Sequence, residues 1–177
     1  MLVSYKGIIM RKLVLLCGVV ASLSGLAQAQ SGKINFTGEI IDTACEVDTN
    51  SQNLDVNLGR VSKTDFSGAG TVASETAFKL NLKNCPEVTT ATIKFDATPK
   101  DGDYNVIDIS ADSGAAKGVG VQILDSARKV VPLYTASSLY DLAVGDNSLK
   151  FTARYYATGE VTSGPANAVA NFTVNYN

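Results

Sequence analysis

Cys45 and Cys85 carry the plainest covalent chemistry in this chain, and the cell compartment decides what they do. Arg11 and Lys12 follow an internal Met10, and the apolar run Leu13–Ala21 comes next, ahead of the small-residue site Ala27-Gln28-Ala29. A positive n-region, an apolar stretch and an A-x-A site make residues 1–29 a secretory signal peptide. The run is too short to span a membrane. Cleavage removes Cys17 and leaves two cysteines in an exported chain, a setting that favours one disulfide. In the chain-entropy model a loop of about forty residues is stabilised by roughly 4 kcal/mol. Two free buried thiols are the alternative.

The rest of the chemistry inventory is thin. With no histidine in 177 residues, acid–base and metal chemistry lose their commonest side chain. The glycines of Gly114–Gly120 have neither dinucleotide nor P-loop spacing and suit a turn into a strand. Asp101-Gly102-Asp103, with Asp96 and Asp108 nearby, lacks the ordered ligand spacing of a calcium loop and suits a solvated hairpin. Tyr134, Tyr140, Tyr155 and Tyr156 are candidates for a sugar site, with one of Tyr155 and Tyr156 in the core and the other on the surface. The signal carries Lys6, Arg11 and Lys12, which leaves twelve basic residues against seventeen acids, a net charge of −5. An acidic, mixed surface argues against nucleic acid and anionic lipid. The expectation is a protein that is not an enzyme and uses no cofactor or metal.

The elements that must position any site are strands. Candidates are Gly38–Asp48, Asn53–Gly59, Ala77–Asn84, Thr90–Ala97, Val106–Ser110, Gly118–Asp125, Val130–Tyr134, Ser148–Tyr156 and Ala168–Tyr176. Phe78-Lys79-Leu80-Asn81-Leu82 and Leu149–Tyr155 alternate apolar and polar, as a strand with one buried face does. Turn clusters separate them, and a helical turn fits near Val61–Phe66. Many short strands in one domain's length imply an all-β sandwich or barrel.

Two alternating segments lie at opposite ends of the mature chain. Near its start Ile34, Phe36 and Ile40 are in phase, with Gly32 and Gly38 in the same phase and Lys33, Asn35, Thr37 and Glu39 facing the other way. At its end Ala170, Phe172, Val174 and Tyr176 are in phase. A first strand outside the core needs somewhere to go, and a last strand needs a partner. A chain in which each satisfies its neighbour's need is a building block that polymerises by exchanging strands.

Six stretches carry a family resemblance: Phe36–Cys45, Val56–Gly59, Leu82–Cys85, Gly118–Asp125, Ala153–Gly159 and Ala168–Tyr176. In these the sequence resembles chaperone–usher fimbrial subunits, close to the major pilins of type 1 fimbriae. The resemblance spans essentially the whole mature chain. It implies an incomplete immunoglobulin-like sandwich that lacks its final strand and is completed by a donor strand from another chain. Residues 30–39 would be the donor extension and residues 40–177 the pilin domain.

The implied partners are a periplasmic chaperone, an outer-membrane usher, neighbouring copies of the subunit, and a tip adhesin or adaptor; none is a nucleic acid. The implied destination is a fimbria on the bacterial surface, reached through the periplasm. Gly32, Ile34, Phe36, Gly38 and Ile40 would be the donor side chains. Gly38 would mark the pinch of the groove, since a strand-interior glycine signals close backbone approach; a plain bulge is its alternative. Gly164, Ala170, Phe172, Val174, Tyr176 and Asn177 would form the chaperone-binding C-terminal strand, with the Asn177 carboxylate held by basic chaperone residues. Two other readings remain at this stage: a minor adaptor or anchoring subunit, and a free secreted carbohydrate-binding sandwich.

Overall fold

The computed structural model describes residues 32–38, 40, 44–87 and 89–177. The signal peptide, Gln30, Ser31 and Glu39 lie outside the described residues. The chain divides into two units, Met1–Glu39 and Ile40–Asn177. In the first, residues 32–38 are exposed and belong to no strand, with Ile34 77% and Phe36 90% accessible.

The second unit is a two-layer β-sandwich. One sheet holds β1 (Glu46–Val47), β2 (Val72–Cys85), β8 (Gly145–Ala157), β6 (Val119–Leu124), β5 (Asp103–Ile107) and β4 (Pro99–Lys100), in that spatial order. The other holds β7 (Tyr140–Leu142), β3 (Thr89–Asp96) and β9 (Asn171–Tyr176), also in that order. Every strand pairing is antiparallel. The long β2–β8 pairing sets Phe78 opposite Phe151 and Leu80 opposite Leu149, so one phase of each strand reaches the core together.

Between the sheets lie Leu80, Leu82, Ile93, Phe95, Ile123, Leu149 and Phe151, all buried. Phe151 is the hub, with Phe95 edge-on at 5.3 Å and Phe78 and Tyr140 at 5.6 and 5.4 Å between ring centroids. Such pairs add about 0.5–1.5 kcal/mol each beyond the area that they bury. On the outer face of the large sheet Arg154 donates to buried Gln122 and, with Arg128, to Glu75. The bonds from Arg128 and Arg154 hold the Glu75 carboxyl below its usual range.

Several expected strands are shorter than the sequence pattern suggests. Val130–Tyr134 forms an isolated bridge from Val130 to Leu124, because Pro132 has no amide hydrogen to donate and Tyr134 takes a left-handed φ of 62°. Of Gly38–Asp48, the described residues form a strand at Glu46–Val47. Asn53–Gly59 alternates as expected, with Val56 and Leu58 turned to the core, yet forms no ladder. The Ser74 and Thr76 hydroxyls of β2 donate to the Leu58 and Asn57 carbonyls instead, beside a bulge between Ala73 and Glu75. The last strand begins at Asn171 and not at Ala168. The helical turn near Val61–Phe66 is present as a 3-10 turn, Lys63–Asp65, closed by a Ser62–Asp65 capping box. Asp101-Gly102-Asp103 is the expected hairpin, between β4 and β5, with φ of 51° at Asp101 and 83° at Gly102.

Candidate functional site

The sandwich is open along one side. A groove of about 530 Å³ runs between the segment Leu54–Gly59 and the segment Ala166–Phe172. Its floor is the core itself: Leu80, Phe95, Ile107, Val121 and Ile123, with Tyr155 at one end. A second section of about 470 Å³ continues it between residues 59–66 and 161–167, and Gly59, Tyr155, Ala166 and Asn167 line both. A long slot floored by core side chains is unfavourable in water and fits an apolar occupant.

One wall is the chain leading into β9, Ala166–Ala170, with Phe172 of the strand itself. The strand pairs with β3 on one side alone, register Phe95 to Phe172 and Ile93 to Val174, and is the edge of its sheet. Its burial alternates residue by residue: Phe172, Val174 and Tyr176 half-buried, Asn171, Thr173 and Asn175 exposed. Ala166, Ala168 and Ala170 continue that phase upstream, while Val169 between them is 77% exposed. An edge strand with a free row of backbone groups is a template for another strand.

The upstream part of this wall is stitched to the loop before β6. Ser110 donates to the Asn167 carbonyl, Ala116 to Pro165, Thr162 to Lys117, and Thr158 to Gly118. Gly164 sits where a Cβ would stand 2.2 Å from the Gly114 carbonyl oxygen and 2.5 Å from the Ala116 nitrogen. The backbones touch there, so Gly164 answers to the subunit's own packing. The Tyr155 hydroxyl donates to the Ala166 carbonyl at 3.1 Å, and burial raises its pKa. Alternation set one of Tyr155 and Tyr156 toward the core without saying which; both are half-buried, Tyr155 packs against the core, and its bond to the groove wall is a tertiary contact that left no mark in the sequence.

At the far end of β9, the Tyr176 hydroxyl donates to the Cys45 carbonyl. Burial raises its pKa too, and the bond to Cys45 opposes that shift. Cys45 and Cys85 form a disulfide. Asn177 extends the β3 pairing, donating to the Thr90 carbonyl at 2.9 Å and accepting from the Thr89 hydroxyl at 2.8 Å. Beside the disulfide, Lys83 pairs with buried Asp48 at 2.5 Å. Asp48 also caps the short helix α1 (Thr49–Gln52) by accepting from the Asn50 amide at 2.8 Å. The hydrogen bond from Lys83 and then the Asn50 amide lower the Asp48 pKa.

Of the residues expected to form a donor strand, Gly32, Ile34, Phe36 and Gly38 lie in the first unit and Ile40 begins the second. A Cβ built on Gly32 or Gly38 meets nothing within 4 Å. Among the described residues of its own unit, Gly38 makes no close approach. Ile34, Phe36 and Ile40 are the apolar members of the set, and all three are exposed.

An all-β, immunoglobulin-like sandwich with an uncovered core is the fold of chaperone–usher pilus subunits. The chain matches a subunit of a solved chaperone–usher pilus at TM-score 0.65 and 25% identity, over 85% of this chain and 97% of that one. It matches the type I fimbria protein and antigen of Burkholderia pseudomallei at TM-score 0.60 and 40% identity, over 82% and 97% of the two chains. The profile of the fimbrial protein family covers residues 34–177, and the chain belongs to that family. Among relatives, it is 38% identical to long polar fimbria protein A of Salmonella typhimurium, over 89% of this chain and 90% of that one. It is 39% identical to the type-1 fimbrial protein, C chain, of Escherichia coli, over 90% and 91%.

Proposed function

We propose that this chain is a major structural subunit of a chaperone–usher fimbria and that it polymerises by strand donation between copies. The observation that carries the reading is the pairing of two surfaces, each incomplete alone. The domain leaves a groove floored by its own core beside an edge strand, and the chain carries an alternating apolar segment in no strand. In the fibre, Gly32, Ile34, Phe36, Gly38 and Ile40 of one copy would line the groove of the next. The backbone would extend the β3–β9 sheet, a mode known as β-augmentation. Burial of Ile34, Phe36 and Ile40 would contribute roughly 1.5–3 kcal/mol each.

Before assembly the same groove would be filled by a strand of a periplasmic chaperone, paired along residues 170–177, which include β9. The chaperone would pass the subunit to an outer-membrane usher, and the fibre would stand on the cell surface as a non-enzymatic adhesive structure. Relatives named as a type-1 A chain and a probable major subunit, at 37% and 35% identity, favour the major over the minor role.

The deciding measurement is the state of the protein recovered from the periplasm and from sheared fibres. The expected forms are a chaperone-bound subunit and a heat-resistant polymer. A stable free monomer with Ile34 and Phe36 seated in its own groove would overturn strand donation.

A further inference from the structure

The groove is electrically lopsided. Among the described residues that line its first section, Asp55 is the one charged residue. Those that line the second section include Arg60 and Lys63 and no acid. All three are exposed, and none joins an ion pair among the described residues. Asp55 lies out of phase with the inward Val56 and Leu58, so it stands on the solvent side of the groove wall.

The segment proposed to enter carries the opposite pattern. In the sequence its out-of-phase set is Lys33, Asn35, Thr37 and Glu39, a cation at one end and an anion at the other. Lys33 to Glu39 is six residues, about 20 Å in extended chain at 3.3 Å each. Asp55 lines the first section of the groove and Arg60 and Lys63 line the second, with the left-handed Gly59 between them. Each surface thus carries opposite charges toward its two ends.

We propose that Asp55 at one end and Arg60 with Lys63 at the other set the direction and register in which residues 32–40 of a second copy enter. Asp55 faces Lys33, and the cationic pair faces Glu39. This inference rests on the strand-donation reading and deepens it. Hydrogen-bond ladders accept a strand in either direction, and a two-residue slip keeps every apolar side chain inward. The charges break both degeneracies. The entering segment then runs alongside Asp55→Lys63 and opposite to β9. The reverse direction brings Lys33 against Arg60 and Lys63.

The test uses the exported subunit as isolated from cells and dye-labelled synthetic peptides of residues 30–40, so that donor changes cannot affect the subunit's folding. Lys33→Glu and Glu39→Lys peptides are expected to be captured about two- to fivefold more slowly than the natural peptide at low salt, as exposed ion pairs allow. The difference should vanish near 1 M NaCl, where the screening length is about 3 Å. Asp55→Lys in the subunit should restore capture of the Lys33→Glu peptide to within about twofold of the natural pair. Faster capture of the Lys33→Glu peptide, or capture independent of these charges, would overturn the inference alone. No capture of the natural peptide would overturn strand donation and this inference with it.

Discussion

The Tyr176 hydroxyl donates a hydrogen bond to the Cys45 carbonyl at 3.2 Å, joining two residues 131 positions apart. The end of β9 is thereby tied to the disulfide that anchors the start of the domain. Tyr176→Phe removes that bond and keeps the ring, and is expected to cost about 1 kcal/mol. Tyr176→Ala also removes a half-buried ring and should cost about 2–3 kcal/mol, short of the full cost of a buried aromatic. Urea unfolding of the two variants measures both, and equal midpoints for the phenylalanine variant and wild type would show the bond to be idle.

The disulfide is the second target. Replacing Cys45 and Cys85 by serine is expected to lower stability by roughly 4 kcal/mol, the loop-closure value for about forty residues. Because Tyr176 leans on the Cys45 backbone, the double variant should also weaken pairing along β9. Hydrogen exchange of the Asn171–Tyr176 amides reads that coupling. Unchanged protection there, in a variant that is still folded, would separate the disulfide from the last strand.

Asp48 gives a pH signature. Its pKa is lowered in the folded state by Lys83 and the Asn50 amide. A carboxyl with a depressed folded pKa contributes stability above its ordinary value of about 3.9, and loses it as pH falls through the folded value. Asp48→Asn keeps a good helix cap and removes the charge. The variant should therefore be less stable than wild type at neutral pH, and the gap should close as pH drops below about 4. A gap that stays constant to pH 2 would assign the loss to packing.

Much of this architecture is legible in the sequence. Strands buried on one face announce themselves, so Phe78–Leu82, Leu149–Tyr155 and Phe172–Tyr176 stood out. The disulfide followed from export and cysteine count. The groove floor was hidden, because Leu80, Phe95 and Ile123 look like ordinary core positions. Whether a core residue is covered depends on a strand that the domain lacks, and no local pattern encodes that. β4 and β7, with two and three residues, are too short for periodicity to register. The bonding of Asn57 and Leu58 through hydroxyls of β2 is likewise a tertiary arrangement. The family resemblance pointed to the missing strand, where residue patterns alone gave two unsatisfied ends.

Gly164 and Gly38 look alike in the sequence and behave differently. A methyl group on Gly164 meets the Gly114 and Ala116 backbone at 2.2 and 2.5 Å, and backbone yields less readily than a side chain. Gly164→Ala is expected to cost about 2–3 kcal/mol in the subunit's own stability, as overpacking does. Chaperone-bound yield should fall with it. Normal yield and an unchanged unfolding midpoint would mean that the 110–118 loop moves aside at little cost.

Gly38→Asn should do the opposite. Among the described residues of its own unit nothing lies within 4 Å of a Cβ at Gly38, so the side chain is expected to leave the subunit's own fold intact. In a neighbour's groove the same position would be pressed toward a floor of close-packed core side chains. Added volume there costs roughly 1–3 kcal/mol. An amide buried without a partner costs about as much again. The expected outcome is normal subunit folding and normal chaperone co-purification, with fibre yield reduced sharply in cells that carry only the variant. Both quantities are measured on the same cultures. Wild-type fibre yield would place the pinch of the groove at another position. Loss of chaperone co-purification would mean that Gly38 serves its own subunit, and the division of labour between the two glycines would be wrong.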